Sequence, residues 1–181
     1  MEPVSETDGV MEAAANGHDA PVRISRKRLA RYRAYEAALV ELGVSSLLAA
    51  KLGLQGEMGV FARATIPAGS VVGIYYGPLY TNEEINALYQ DRQAKYTLAS
   101  DTGYSRDCAD ATQSTLMRYI NSNRGLGLPP SVAFEDRDKC RDFVVRALQD
   151  IEPGEELLVC YGPAYFSDND EEEEVEGPLK T

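Results

Sequence analysis

The chain has 181 residues, and 44% of them are hydrophobic, which is enough for one packed domain with tails. Its three cysteines are widely spaced and form no CxxC pair, which argues against a structural zinc site. No apolar run reaches the ~18 residues of a membrane-spanning helix, and no secretory signal opens the chain. The sequence therefore predicts an intracellular protein that is not secreted and contacts no membrane.

The charge is distributed unevenly along the chain. The formal net charge at pH 7 is -11, and seven acidic residues lie between Asp168 and Glu176. Six basic residues lie between Arg23 and Arg33. The basic segment is expected to contact nucleic acid, to act as a nuclear localisation signal, or to form a solvated helix face. The acidic segment is expected either to attract a basic protein or to keep the chain soluble.

The first fifty residues divide into two parts. Residues 1–20 lack apolar periodicity and are predicted to be a disordered tail. Residues 21–50 are predicted to form a helical segment, because apolar residues recur at roughly helical spacing from Arg26 to Leu42. Gly43 is placed to end that helix. A second short apolar stretch runs from Ser45 to Leu52.

From Gly59 onward the pattern changes to short strands and turns. Thr81 and Glu84 match the capping box that opens a helix, and β-branched or aromatic runs between turn residues predict strands. The predicted elements are a strand over Ser70–Tyr76, a helix from Thr81 to about Tyr89, a loop over Arg124–Pro130, and strands over Phe143–Leu148 and Glu156–Tyr161. This part of the chain is therefore predicted to be β-rich with few helices.

Two segments 85 residues apart share a local pattern. Ile66–Tyr80 and Ile151–Tyr165 agree at six of fifteen positions. Nothing else recurs at this offset, so the match indicates one turn–strand–turn solution used twice rather than a repeat architecture. The alignment pairs Tyr76 with Tyr161, which makes these two tyrosines rivals for a catalytic role.

Several common catalytic systems are missing from the sequence. His18 is the single histidine, which in practice excludes Ser-His-Asp and Cys-His nucleophile systems. No GxxxxGK[ST] motif is present, the one Gly-x-Gly heads no predicted helix, and no spaced carboxylates suggest a metal. The chemistry is expected to rely on backbone groups, a bound cofactor and tyrosines, of which there are eleven against four phenylalanines.

Four short motifs carry a resemblance to a known family. They are Gly59-Val60-Phe61-Ala62, Tyr75-Tyr76-Gly77, Arg118-Tyr119-Ile120-Asn121, and a C-terminal motif running from Glu155-Glu156-Leu157 to Tyr161-Gly162. In this combination they resemble the SET domain of protein-lysine methyltransferases, with similarity to its PR subclass. The resemblance covers about Leu52 to Phe166.

The resemblance implies a mainly β fold, the β-clip SET fold. It has several small, short-stranded sheets, an N-terminal helix, and a C-terminal pseudoknot in which the last segment threads under the Asn121 loop. The implied boundaries are a SET domain over residues 51–166 and an acidic disordered tail over residues 167–181.

The resemblance also implies an activity, the transfer of a methyl group from S-adenosyl-L-methionine to a protein lysine. It implies a histone tail or another basic protein as substrate, a setting in chromatin, a nuclear or cytoplasmic location, and no metal or zinc. Tyr161 is the implied catalytic residue. The implied cofactor-binding residues are Met58, Gly59, Arg118, Tyr119, Asn121, Ser122 and Tyr161. The implied substrate channel is lined by Tyr75, Tyr96, Tyr104, Phe134 and Tyr165.

Several of these residues have structural alternatives. Tyr96, Tyr104 and Tyr165 are as consistent with core packing as with a channel wall. Phe134 either packs in the core or limits how many methyl groups fit. Arg118 either fixes a loop or contacts the cofactor.

The chain departs from the family pattern at two places in the cofactor-binding motifs, and Cys160 stands where the family typically has Asp before the last tyrosine. Glu57 stands where the family usually has the first glycine of Gly-x-Gly, and Ser122-Asn123 stand where it usually has His-Ser. These departures favour a second hypothesis, a catalytically weak or inactive SET-like module that binds proteins. A methyltransferase for a non-histone target, such as a ribosomal protein, is a third hypothesis.

Overall fold

The structure, a computed structural model, describes residues 24–90 and 94–161. Its helices are α1 (Arg26–Leu39), α2 (Ser46–Leu52) and α3 (Asn82–Tyr89). Its strands are β1 (Val40–Val44), β2 (Met58–Ala62), β3 (Val71–Tyr75), β4 (Leu79–Thr81), β5 (Thr97–Ala99), β6 (Tyr104–Asp107), β7 (Asn121–Ser122), β8 (Val132–Arg137), β9 (Asp142–Ala147) and β10 (Leu158–Val159). Two short 3-10 helices, Ala111–Gln113 and Leu116–Tyr119, precede β7.

The strands form small sheets with the orders β1-β2, β3-β9-β8-β10-β7 and β4-β6-β5. The short strand β10 lies between β7 and β8 and runs parallel to both, with Leu158 opposite Asn121 and Val159 opposite Val132. The C-terminal motif is thereby threaded between two distant segments and lies beside Asn121. This mainly β architecture, with its N-terminal helix, confirms the predicted fold class.

The main hydrophobic core lies between the sheets. Its members include Val60, Val72, Met117, Val145 and Leu157, each with no exposed surface and each from a different part of the chain. Fully burying a side chain of this size contributes roughly 1.5–3 kcal/mol. The core therefore ties the strands of the large sheet to the 3-10 helix that carries Arg118.

The first helix ends earlier than the sequence pattern predicts. Ser25 caps its start by accepting a hydrogen bond from the Arg28 amide at 3.3 Å. The predicted helix to Leu42 is wrong at its end, because Val40 is already extended and pairs with Ala62 of β2. The alanine-rich pattern favours continued helix, but strand pairing with β2 overrides that local preference.

Other predicted elements are confirmed within one or two residues. The capping box of α3 is present, with the Glu84 amide donating to Thr81 at 3.1 Å and the Thr81 amide donating to Glu84 at 2.7 Å. The predicted strand over Ser70–Tyr76 is β3, and the predicted strand over Phe143–Leu148 is β9. The predicted strand over Glu156–Tyr161 is too long, because only Leu158–Val159 is paired as β10.

The two segments that share a local sequence pattern, Ile66–Tyr80 and Ile151–Tyr165, begin side by side. Ile66 and Ile151 form an antiparallel bridge with reciprocal backbone hydrogen bonds of 2.9 Å. Gly69 and Gly154 each adopt a positive φ, of 80° and 87°, in the turn that follows. The two tyrosines that the alignment pairs, Tyr76 and Tyr161, lie in different environments. Tyr76 is buried in the core, and the guanidinium carbon of Arg106 lies 4.3 Å from the centre of its ring.

Part of the basic segment serves the fold itself. Arg33 donates from Nη2 to the Ser114 carbonyl at 2.7 Å, and Arg28 donates to the Cys140 carbonyl at 3.5 Å. Arg26, Lys27 and Arg31 are exposed on α1. Contact with nucleic acid through this segment stays a prediction, and Arg23 lies outside the described residues.

Other sequence predictions also fall outside the described residues. They include the disordered tails over residues 1–20 and 167–181, and Tyr165. The domain boundaries therefore stay predictions. Within residues 24–90 and 94–161, no helix is long and apolar enough to cross a membrane. In the same part of the chain, no cluster of three or more His, Cys, Asp or Glu side chains is arranged to hold a metal.

A buried carboxyl links α1 to the segment that carries Arg118. Glu36 is 1% exposed, and its Oε1 accepts from the Leu116 amide at 2.9 Å. Its Oε2 has no hydrogen-bond partner among the described residues. Burial raises the pKa of Glu36 to about 7, and the Leu116 amide and the Arg33 charge oppose that rise only in part.

We expect Glu36→Gln to flatten the pH dependence of stability. Because the folded-state pKa of Glu36 lies above its ordinary value of 4.5, the carboxyl costs stability progressively as pH rises from about 4.5 through about 7. The full shift corresponds to on the order of 3 kcal/mol. Chemical denaturation between pH 4.5 and 8 should show that the free energy of unfolding of the variant rises relative to that of the wild type as pH increases. A constant difference across that range would contradict the prediction.

Candidate active site

A cavity of about 840 Å³ opens between α2, the start of β2 and the segment leading into β7. We call it the wide cavity. Its size lies within the ~300–1,000 Å³ typical of ligand-binding pockets. Its lining residues are Leu48, Leu52, Leu54, Gly56, Glu57, Met58, Lys95, Tyr96, Arg118, Tyr119, Asn121, Ser122, Arg124, Gly125 and Tyr161. Segments distant in sequence thus converge on one concave site.

A second cavity, of about 80 Å³, shares part of its wall with the wide cavity. We call it the narrow cavity. Its lining residues are Tyr75, Lys95, Tyr96, Thr97, Leu98, Arg118, Ile120, Phe134 and Tyr161. The residues common to both cavities are Lys95, Tyr96, Arg118 and Tyr161. A roomy, partly polar site therefore borders a small site whose wall is mostly aromatic and aliphatic, with Lys95, Thr97 and Arg118 as its other members.

The 3-10 helix beside both cavities is anchored in the core. Thr115, just before it, donates its hydroxyl to the Ile74 carbonyl at 2.7 Å. Met117 is fully buried against Gly73, where an added Cβ would lie 2.7 Å from the Met117 sulfur. This anchoring leaves Arg118, the next residue, at the boundary between the two cavities.

Arg118 fixes the aromatic wall around it. Its guanidinium carbon lies 4.0 Å from the ring centre of Tyr96 and 4.7 Å from that of Tyr119. Its Nη1 donates to the Tyr119 hydroxyl at 3.0 Å, and its Nη2 donates to the Ala109 carbonyl at 3.1 Å. Arg118 therefore fixes a loop and also lines the wide cavity, while its contact with the cofactor stays a prediction.

Asn121 is held from two sides. Its Nδ2 donates to the Met58 carbonyl at 3.0 Å and to Oε1 of Glu156 at 2.8 Å. Gly59 lies directly beneath, and a Cβ at that position would collide with Oε1 of Glu156. The glycine of the Gly59-Val60-Phe61-Ala62 motif is therefore required for close approach, and Asn121 has a fixed orientation at the cavity wall.

Tyr75 braces the narrow cavity. Its hydroxyl donates to the Tyr96 carbonyl at 2.7 Å, and its ring meets Phe134 edge to face at 5.3 Å between centres. Burial is the main reason that the pKa of Tyr75 lies well above its ordinary value, with further contributions from Cys108 and Tyr161. The phenol therefore stays protonated and keeps donating at neutral pH.

Tyr161 lies where the cavities meet. It is half-buried, follows β10 by two residues, and donates its hydroxyl to the Ile120 carbonyl. With its proton directed at Ile120, the hydroxyl oxygen keeps lone pairs that can face a positively charged group. Its rival Tyr76 lines neither cavity.

The structure brings most of the predicted site residues together. Met58, Arg118, Tyr119, Asn121, Ser122 and Tyr161 line the wide cavity, and Gly59 lies beneath Asn121. Tyr75, Tyr96 and Phe134 line the narrow cavity. Their roles in binding and catalysis are proposals, which are developed below.

Tyr104 is placed elsewhere. Its hydroxyl donates to the Asp136 carboxylate, and its ring packs against Phe143 at 5.6 Å between centres. Burial, and then the hydrogen bond to Asp136, raises the pKa of Tyr104. It lines a separate depression together with Thr102 and Asp138. The geometry favours the structural alternative for Tyr104 and does not support its assignment to the channel.

The sequence analysis missed several lining residues. Leu48 and Leu52 are four residues apart on α2, so helical periodicity puts them on one face, but nothing in the pattern shows what that face covers. Among the described residues, Lys95, Arg118 and Arg124 line the wide cavity, and Glu57 contributes its one carboxylate. This local excess of basic side chains favours an anionic group within the wide cavity, although the chain as a whole is acidic.

Comparison with known proteins gives these cavities a family context. A model of the SET domain matches residues 57–162. A histone-lysine N-methyltransferase of Caenorhabditis elegans, set-17, is 33% identical over 108 residues. That match spans 60% of this chain and 37% of the length of the relative.

Solved structures show the same fold. A Chaetomium thermophilum polycomb repressive complex 2, in an autoinhibited conformation bound to S-adenosylmethionine, matches with a TM-score of 0.54 and 26% identity. The match covers 68% of this chain and 15% of that one. The methyltransferase domain of human PR domain-containing protein 2 matches with a TM-score of 0.52 and 23% identity, covering 92% of this chain and 99% of that domain. The family match over more than half of its length shows that this chain belongs to the SET domain family.

Proposed function

We propose that this protein transfers a methyl group from S-adenosyl-L-methionine to a lysine side chain of another protein. The observation that carries the proposal is the junction of the wide and narrow cavities at Tyr161, Tyr96 and Arg118. One cavity suits a cofactor and the other suits the stem of a lysine. Family membership and the similarity to a complex bound to S-adenosylmethionine support this division of roles.

The wide cavity fits the chemistry of the cofactor. Its apolar and aromatic surfaces suit an adenine ring, and the basic side chains of Lys95, Arg118 and Arg124 suit a carboxylate. When bound, the cofactor supplies an electrophilic methyl group on a sulfonium centre. The residues that we propose to hold it are Met58, Gly59, Arg118, Tyr119, Asn121, Ser122 and Tyr161.

The narrow cavity fits the requirement for a neutral amine. A lysine ammonium has no lone pair, and its pKa of about 10.4 in water must fall before it can act as a nucleophile. Leu98, Ile120 and Phe134 surround the narrow cavity with apolar surface, which disfavours the charged form of an entering amine. Tyr75 and Tyr96 complete the proposed channel.

Tyr161 is the proposed catalytic residue. Its hydroxyl donates to the Ile120 carbonyl and the residue lines both cavities, so we propose that its oxygen faces the transferred methyl group where the cavities meet. An oxygen held there stabilises positive charge on a methyl carbon during transfer. The remaining effect is alignment, for which orientation alone can supply roughly 7–11 kcal/mol of barrier reduction.

The proposed substrate is a histone. The named relative is a histone-lysine methyltransferase, and the chain itself carries a net charge of -11, which favours a basic partner. On this proposal the protein acts in chromatin, in the nucleus. Glu57 and Ser122 both line the wide cavity, so the two departures from the family pattern fall where a loss of cofactor binding would arise. A SET-like interaction module that lacks turnover is therefore the second candidate.

Methyl transfer tests the proposal directly. The full chain is incubated with S-adenosyl-L-methionine labelled in its methyl group, together with core histones or, separately, ribosomal proteins. We expect label on histone lysines, located by mass spectrometry. Label on ribosomal proteins alone would replace the histone proposal with the non-histone one. Absence of both cofactor binding and label on either substrate would favour the interaction module.

A further inference from the structure

A buried carboxylate connects the wall of the wide cavity to a helix that precedes the matched SET region. Glu156 is 8% exposed. Its Oε1 accepts from Nδ2 of Asn121 at 2.8 Å, and its Oε2 accepts from the hydroxyl of Ser45 at 2.7 Å. Both oxygens of one carboxylate are therefore engaged, each by a different segment of the chain.

Ser45, one of the two partners of Glu156, fixes the start of α2. Ser45 is fully buried and caps α2, because its Oγ accepts from the Leu48 amide at 3.2 Å. Its own amide donates to the Glu57 carbonyl at 2.8 Å. The capped helix then contributes Leu48 and Leu52 to the wide cavity, although both residues precede the matched range 57–162.

The contacts leave little freedom for Glu156 itself. Gly59 packs so closely that an added Cβ would lie 2.9 Å from the Glu156 Cδ and 3.2 Å from Nδ2 of Asn121. A carboxylate also suits the position chemically, because the Asn121 amide and the Ser45 hydroxyl both donate here and each meets its own charged acceptor oxygen. Glu156 does not line the wide cavity itself.

We propose that Glu156 is a positioning residue that locks the Asn121 amide and helix α2 against each other and thereby sets the affinity for the cofactor. The inference rests on the proposed function, since it concerns the same site. Ser45 acts in it as the link to α2. Neither residue touches the cofactor on this account, so both act through the shape of the wide cavity wall.

The test uses Glu156→Gln and the milder Ser45→Ala, each in the full chain. Glutamine keeps one acceptor oxygen but removes the negative charge, so the charge-assisted bonds to Asn121 and Ser45 are lost, which should weaken cofactor binding by about tenfold. Ser45→Ala removes only the bond between Ser45 and Glu156 and should therefore weaken cofactor binding by less. In the Glu156→Gln background, Ser45→Ala should weaken cofactor binding little further, because the charge-assisted bond between these two residues has already been lost. Glu155→Gln is the matched control, since that neighbouring carboxylate is exposed and bonds only locally.

Two readouts separate positioning from general destabilisation. Calorimetry gives the Kd for S-adenosyl-L-methionine, and steady-state kinetics should show a raised KM for the cofactor with kcat and the KM for peptide unchanged. Wild-type affinity in both folded variants would overturn the inference and leave the proposed function standing. A fall in apparent kcat in proportion to lost folded protein, with the Kd and both KM values unchanged, would also overturn it. Absence of binding by the wild type would instead overturn the proposed function.

Discussion

Replacing Tyr161 by phenylalanine is expected to lower kcat for methyl transfer by about 10²-fold or more, the effect typical of removing one oriented polar group at a reacting centre. Tyr161 lines both cavities, and its hydroxyl donates to the Ile120 carbonyl. Phenylalanine keeps the ring and its packing but removes the oxygen. Cofactor affinity should therefore remain close to that of the wild type.

Single-turnover methylation of a histone substrate, alongside calorimetry of cofactor binding, measures both quantities. Tyr35→Phe is the matched control, because Tyr35 is exposed and lines neither cavity. Its hydroxyl donates to the Val71 carbonyl, so the variant also loses one hydroxyl hydrogen bond. Unaltered turnover in Tyr161→Phe would remove Tyr161 from the chemistry.

Asn121→Ala is expected to weaken S-adenosyl-L-methionine binding by more than about tenfold and to lower stability by about 1–3 kcal/mol, because it leaves buried polar groups without a donor. The groups concerned are the Met58 carbonyl and Oε1 of Glu156. The two effects have one cause, since the same amide that braces β2 also shapes the cavity wall.

Calorimetry and thermal unfolding together measure this prediction. Asn123→Ala is the matched control, because Asn123 also donates from its side chain, to the Leu128 carbonyl at 2.9 Å, but does not line the wide cavity. A loss of stability in Asn121→Ala with unchanged cofactor affinity would assign Asn121 to the fold alone. Equal losses of affinity in both variants would show that the site responds to loop order rather than to Asn121.

Local sequence signals were most reliable where the chemistry is local. The capping box at Thr81 and Glu84 is a contact between neighbours, so its residues suffice to predict it. Helix α1 ends where β1 begins, at Val40, because β1 pairs with β2. No local sequence pattern specifies that pairing. Helix propensity therefore carried the predicted helix three residues too far, to Leu42.

The candidate site shows the same division. The family motifs led to Asn121 and Tyr161, and the structure brings both to the wide cavity. Tyr104 has the residue type of a channel wall, but its position follows from its bond to Asp136 on another sheet. The link from Ser45 to Glu156 spans 111 positions, so no sequence spacing reveals it.

The most direct test of this account is calorimetric titration of the wild-type full chain with S-adenosyl-L-methionine. We expect saturable binding with a single site per chain and a matching rise in Tm, because the ligand binds the folded state. Absence of both heat and thermal stabilisation would contradict the assignment of the wide cavity as a cofactor site, and with it the proposed methyltransferase.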